Sequence, residues 1–74
     1  MNFEVTIYMA DFSGNFYTYS GYNRNRPVED FDDTEFDRWI GDCLQYCGGM
    51  LPYDGGCINV NACSRVWYKI REVH

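Results

Sequence analysis

The stretch Glu29-Asp30-Phe31-Asp32-Asp33-Thr34-Glu35-Phe36-Asp37-Arg38-Trp39-Ile40-Gly41-Asp42 contains the start of the only convincing helix in the sequence, and it decides the fold class. It holds seven of the eleven carboxylates in the chain but only one of its six basic residues. The chain has 74 residues, so this concentration of acids creates a local negative field rather than a uniform coat.

Signals for the start and the end of a helix flank this stretch. Asp32 is a good N-cap residue, and Glu35 three residues later completes a capping-box pattern. Phe31 before the cap can pack on Phe36 as a hydrophobic staple. The apolar positions that follow have helical spacing and are Phe36, Trp39, Ile40, Cys43, Leu44 and Cys47. Gly48-Gly49 predicts the end of the helix, after about four turns.

Strands are predicted on both sides of the helix. Residues 2–9 alternate between polar and apolar side chains, and residues 16–22 are aromatic and favour a return strand. Residues 23–27 and 50–56 carry turn chemistry and predict loops. Two further strands are predicted at residues 57–61 and 65–71.

The order ββαββ predicts one α+β domain over residues 1–74. We expect an antiparallel sheet of about four strands with one helix packed on a face. Hydrophobic residues make up 46% of the chain and aromatic residues 19%, so a packed core is expected rather than disorder.

The net charge of −5 limits the classes of partner. A chain of this charge without a run of Lys or Arg is expected to repel nucleic acid and anionic membranes. It favours a protein partner with a basic surface, or it serves solubility alone. Residues 1–9 lack the basic and apolar regions of a signal peptide, and no apolar run is long enough to span a membrane. These features predict a cytoplasmic location.

Four cysteines, Cys43, Cys47, Cys57 and Cys63, have the spacing C-x3-C-x9-C-x5-C. Three interpretations remain open for them. Four thiolates could hold zinc, although the tight C-x2-C pairs typical of structural sites are missing. Two disulfides could instead join helix to strand. Free thiols buried as small apolar groups are the simplest interpretation, and we therefore expect no cofactor.

Catalysis finds little support in the sequence. The only histidine is His74, so a cysteine nucleophile has no secured base. Residues 30–35 lack the glycine and the distal glutamate of a calcium loop. We expect a non-enzymatic protein.

Helix capping does not require all of the acids in the opening stretch. The surplus residues are Glu29, Asp30, Asp33, Asp37 and Asp42. They could simply solvate the helix, or they could imitate the phosphates of a nucleic acid and occupy a basic channel of a partner protein. Exposed aromatic rings would then act as anchors, and the candidates are Tyr17, Tyr19 and Tyr22.

Asp30-Phe31-Asp32, Thr34-Glu35 and Trp39 resemble the D-F-D-x-T-E-x-x-x-x-W stretch of a small phage-encoded type I anti-CRISPR protein, with one residue fewer before the tryptophan. The resemblance implies an inhibitor that binds a CRISPR–Cas surveillance complex and masks its DNA-binding surface. A monomer in the cytoplasm of a bacterial host is then expected. The alternative function is a small zinc- or disulfide-stapled module that binds another protein.

Overall fold

The computed structural model of the protein describes residues 2–23 and 28–73. The predicted loop at residues 23–27 therefore lies mostly outside the described residues, as does His74. The elements are β1 (Asn2–Asp11), β2 (Phe16–Tyr19), α1 (Asp33–Tyr46), β3 (Met50–Tyr53), β4 (Gly56–Asn59) and β5 (Cys63–Val73), with short 3-10 turns at Gly21–Asn23 and Val60–Ala62.

The strands form two antiparallel sheets. The larger sheet has the order β2-β1-β5, and β3 pairs with β4 in a separate hairpin. The predicted α+β class with one helix is confirmed. The predicted single sheet of about four strands was wrong, because the chain makes five strands divided three and two among the residues described.

Strand β3 replaces part of the loop that was predicted at residues 50–56. Proline cannot donate a ladder hydrogen bond, so Pro52 is not expected inside a central strand. In a two-stranded sheet each strand has a free edge, so a proline is tolerated there. Leu51 beside it is fully buried, which fixes the hairpin against the core.

Alternation along β1 separates the two faces of the larger sheet. Val5, Ile7 and Met9 are fully buried on one face, beneath the helix. Helix residues meet this face through ring contacts: Trp39 stacks on Tyr19 at 5.9 Å between centroids, and Phe36 packs on Tyr68 at 4.9 Å. Cys43 completes the contact as the buried residue of the helix.

The helix begins and ends as its sequence predicts. The side chain of Asp32 accepts a hydrogen bond from the N–H of Glu35 at 3.0 Å. At the other end the N–H of Gly49 donates to the carbonyl of Cys43, and both Gly48 and Gly49 have positive φ. Leu44 and Cys47 were assigned to the apolar face, but Leu44 is 49% exposed and Cys47 is exposed as well, because the helix ends there.

Polar contacts outside the strand ladders hold the edges of the larger sheet. The Asn23 side chain accepts from the N–H of Val5 at 2.6 Å and donates to the carbonyl of Phe3 at 2.8 Å. The carboxylate of Asp54 binds Ser20, which ties the β3–β4 hairpin to the end of β2. Among the described residues, no helix has the length and apolar character needed to cross a membrane.

Candidate interaction surfaces

The five surplus carboxylates do not form one continuous row. Glu29 and Asp30 are exposed on the segment that enters the helix. Successive helix residues are about 100° apart around the axis, so Asp33 and Asp37 lie about 40° from each other. Asp42 lies about 180° away from Asp33, on the other margin of the exposed side. Helical geometry therefore separates Asp42 from Asp33 and Asp37.

Tyr68 of β5 lies beside the first group of acids. Its hydroxyl donates a hydrogen bond of 2.7 Å to Asp33. This bond raises the pKa of Tyr68, and burial and the charges of Asp32 and Asp37 raise it further. Three carboxylates of the helix start therefore act on one phenol. We call Glu29, Asp30, Asp33 and Asp37 the acidic helix surface.

Basic side chains do not neutralise the acidic helix surface within the part of the chain described. The two ion pairs found there are Arg38 with Glu35 at 2.9 Å and Arg71 with Glu4 at 2.7 Å. Neither includes a residue of the acidic helix surface. The surface therefore presents an unpaired negative field to a partner, as far as residues 2–23 and 28–73 are concerned.

Asp42 has different neighbours. It lines a shallow groove of about 290 Å³ together with Glu35, Arg38, Trp39 and Tyr22. Arg38 is the one basic residue of the opening stretch, and it lies on this side of the helix. The field around Asp42 is therefore weaker than the field around Asp37.

The three tyrosines proposed as anchors face the helix side of the sheet and are engaged in packing. Tyr17 donates a hydrogen bond to Asp11 at 2.9 Å, which raises the pKa of Tyr17. Its ring contacts Tyr53. Tyr19 stacks on Trp39, and Tyr22 meets Phe31 edge to face. Their role as anchors stays a prediction. The most exposed aromatic residues are others, namely Phe12, Phe16 and Tyr46.

The four cysteines are free thiols. Burial, followed by the neighbouring Cys47, raises the pKa of Cys43 to about 11. The thiolate is the form that attacks electrophiles, so Cys43 is a poor nucleophile at neutral pH. Burial also raises the pKa of Cys63, whose thiol donates to the carbonyl of Asn59.

The positions of the four cysteines bear on the zinc interpretation. Cys43, Cys47 and Cys57 line an apolar groove of about 460 Å³ beside Trp39 and Met50, whereas Cys63 is not among its lining residues. Within residues 2–23 and 28–73, no three potential ligands are close enough to hold a metal ion. The geometry therefore gives no support to a four-cysteine zinc site.

The second face of the larger sheet is not covered by the helix, and sequence reasoning missed it. Its side chains come from three neighbouring strands and include both aromatic and basic groups. We call it the open sheet face, and it comprises Glu4, Thr6, Tyr8, Ala10, Phe16, Thr18, Arg65, Trp67, Lys69 and Arg71. The signal was the alternation in β5, which places Val66 and Tyr68 inward and every second residue outward.

Ring contacts organise the centre of the open sheet face. Tyr8 and Trp67 are cross-strand partners whose rings stack at 5.5 Å with 13° between their planes. Phe16 meets Trp67 edge to face at 6.4 Å. The Arg65 guanidinium lies 4.3 Å from the Trp67 ring, and the Lys69 ammonium lies 5.4 Å from the Tyr8 ring.

No protein-family model, no curated protein sequence and no solved structure matches this chain significantly. The chemistry of these surfaces is therefore what points to a function.

Proposed function

We propose that the protein is a non-enzymatic inhibitor whose acidic helix surface binds the basic nucleic-acid-binding surface of a protein complex. The observation that carries the proposal is the cluster of exposed carboxylates at the helix start, which lack ion pairs within the described residues. Helix capping uses Asp32, which leaves Glu29, Asp30 and Asp37 free to act on a partner.

The physical basis is electrostatic complementarity. Carboxylates held on one rigid element can occupy positions that phosphates would take in a basic channel. Long-range attraction then raises the association rate and makes it fall with added salt. Asp33 is held by Tyr68, so this part of the surface is already ordered before binding.

The target class that we propose is a type I CRISPR–Cas surveillance complex in the cytoplasm of a bacterial host, bound by a monomer of this protein. The support is the resemblance around Asp30, and the structure gives most of the matching residues local roles. Phe31 is in the core, Asp32 caps the helix, and Trp39 stacks on Tyr19. Asp30 and Thr34 are the matching residues that remain exposed with no described side-chain contact.

A matched pair of charge reversals tests the acidic helix surface. Asp37→Lys and Asp42→Lys change the charge equally on the same helix, at two exposed positions. Binding to a purified surveillance complex is measured by biolayer interferometry at low and at physiological salt. We expect Asp37→Lys to lower the association rate several-fold at low salt and to flatten its salt dependence, while Asp42→Lys has a small effect.

Two outcomes would contradict the proposal. Equal effects of the two reversals would mean that total charge, not the acidic helix surface, governs binding. A pull-down from bacterial lysate that returns a partner without a basic nucleic-acid channel would remove the proposed target class. Circular dichroism of both variants confirms that a loss of binding is not a loss of fold.

A further inference from the structure

We propose that the open sheet face binds single-stranded nucleic acid, with bases stacked on its aromatic rings and phosphates held by its cations. The groups concerned are Tyr8, Phe16, Trp67, Arg65, Lys69 and Arg71. This activity goes beyond the proposed function, because it uses a different surface and needs no partner complex.

Charge on the open sheet face has the sign opposite to that of the whole chain. Arg65, Lys69 and Arg71 are exposed there, whereas Glu4 is the one carboxylate of the face. The helix covers the other side of the sheet, so Asp33 and Asp37 on the helix lie on the opposite side from these cations. The net charge of −5 led to the expectation that nucleic acid is repelled, but a strand approaching the sheet meets the cations first.

Aromatic rings on an open sheet, with cations beside them, are the combination that single-stranded nucleic acid binds without sequence preference. The contacts that now cover the rings are weak and exchangeable. Cation–π contacts at exposed sites, such as Arg65 over Trp67, contribute less than the stacking of a base. A base can therefore displace each cation from its ring, which frees the cation for a phosphate.

A groove at one end of the face has the size and chemistry for one nucleotide. Its volume is about 340 Å³, and Tyr8 offers an aromatic wall while Thr6 offers a hydroxyl. Lys69 and Arg71 line the same groove. Arg71 is paired with Glu4, but the Arg71 side chain is largely exposed and the Glu4 side chain is only half-buried, and a pair this accessible to water contributes little to stability.

The distance between the outermost cations of the open sheet face suits a nucleic-acid strand better than a single nucleotide. Arg65 and Arg71 are six residues apart on one strand, which is about 20 Å at about 3.3 Å per residue. Sheets that bind single strands stack two or three bases over such a distance. A duplex keeps its bases paired, so it offers the rings nothing to stack on.

Fluorescence of Trp67 reports binding directly. The chain has two tryptophans, so Trp39→Phe leaves Trp67 as the sole reporter and keeps an aromatic ring against Tyr19. Titration with a short oligothymidylate is expected to quench this fluorescence strongly at low salt. The same strand annealed to its complement, thymidine monophosphate and polyglutamate are expected to quench it weakly.

Two variants and one control separate stacking from charge. Tyr8→Leu keeps apolar bulk but removes a ring, and it is expected to weaken binding at least about fivefold. Lys69→Gln is expected to reduce the slope of log affinity against log salt by about 0.7, the value for one phosphate contact on a single strand. Arg38→Gln removes the same charge from the helix, and its affinity and slope are expected to match those of the parent protein.

Fluorescence anisotropy of the labelled oligonucleotide with the unmodified protein provides a readout that needs no folded variant. Absence of both quenching and an anisotropy change at low salt would overturn the proposal. Polyglutamate that binds as well as the oligonucleotide would also overturn it, because the face would then select an acidic polymer of any kind. Equal effects of Lys69→Gln and Arg38→Gln would show that the cations of the sheet are not the phosphate contacts.

Discussion

Asn23 takes the place of a neighbouring strand for the first part of β1. Strand β2 pairs with β1 only from Ile7 to Ala10, and before Ile7 the neighbouring backbone described is an isolated bridge from Val28 to Phe3. The Asn23 amide bonds the N–H of Val5 and the carbonyl of Phe3, and Val5 is fully buried. One side chain therefore satisfies two backbone groups next to the core.

Removal of this amide is expected to destabilise the protein. Asn23→Ala leaves the N–H of Val5 without its partner, and an unsatisfied buried backbone group costs about 1–3 kcal/mol. Urea unfolding followed by circular dichroism measures the loss. Asn61→Ala is the control, because the exposed Asn61 side chain has no hydrogen bond with described residues. Equal midpoints for the two variants would show that the Asn23 amide is dispensable.

Individual residues differ in how far the sequence could predict them. The roles of Asp32 and Gly49 were predictable, because capping depends on neighbours in sequence. The role of Asn23 was not, since its partners lie 18 and 20 residues away. Asp42 was grouped with the other acids by proximity in sequence, although helix rotation separates it from them.

At the scale of elements, Asp11 organises the turn between β1 and β2. Its carboxylate accepts hydrogen bonds from the N–H groups of Ser13 and Asn15, from the Asn15 amide and from the Tyr17 hydroxyl. These bonds, with the Asn15 backbone bond as the largest cause, lower the pKa of Asp11 below its ordinary value of 3.8. The turn is therefore most stable when this carboxylate is charged.

The lowered pKa predicts an acid-sensitive turn. The stabilisation from Asp11 is fully present above pH 3.8 and is lost as pH falls below 3.8 through the folded-state pKa. Asp11→Asn should therefore be less stable than the parent at neutral pH, and this difference should shrink in the acid window. Unfolding in urea at several pH values measures it, with Asp30→Asn as the control for the loss of one charge. A difference that stays constant with pH would contradict the assignment.

Elements also differ in how well the sequence predicts them. The helix was predictable because its cap, its apolar period and its terminal glycines all agree. Strand β3 was not predicted, because it is short and contains Pro52, and a proline is typical of loops as well as of edge strands. The outward residues of β5 could not be given a role from the sequence, because their aromatic neighbours Tyr8 and Phe16 come from other strands.

For the whole molecule, total charge proved a poor guide because the fold separates charges of opposite sign. Asp33 and Asp37 lie on the helix layer, and three exposed cations lie on the far side of the sheet. The net charge of −5 is a sum over both sides and hides their difference. The separation became visible only when strand pairing placed Arg65 and Lys69 beside β1, which is information about long-range contacts.

The pairing of β1 with β5 has a further consequence, for synthesis on the ribosome. Strand β1 leaves the ribosome before β5 does. The edge of β1 at Val5 that pairs with β5 therefore stays unpaired until Ile70 has been synthesised. During that interval the alternating apolar residues of β1 are exposed beside an unpaired edge, which favours aggregation or capture by a chaperone. Stalled nascent chains are expected to resist protease only when a linker has brought Cys63–Val73 out of the ribosome. Protection before β5 emerges would show that the rest of the chain folds without it.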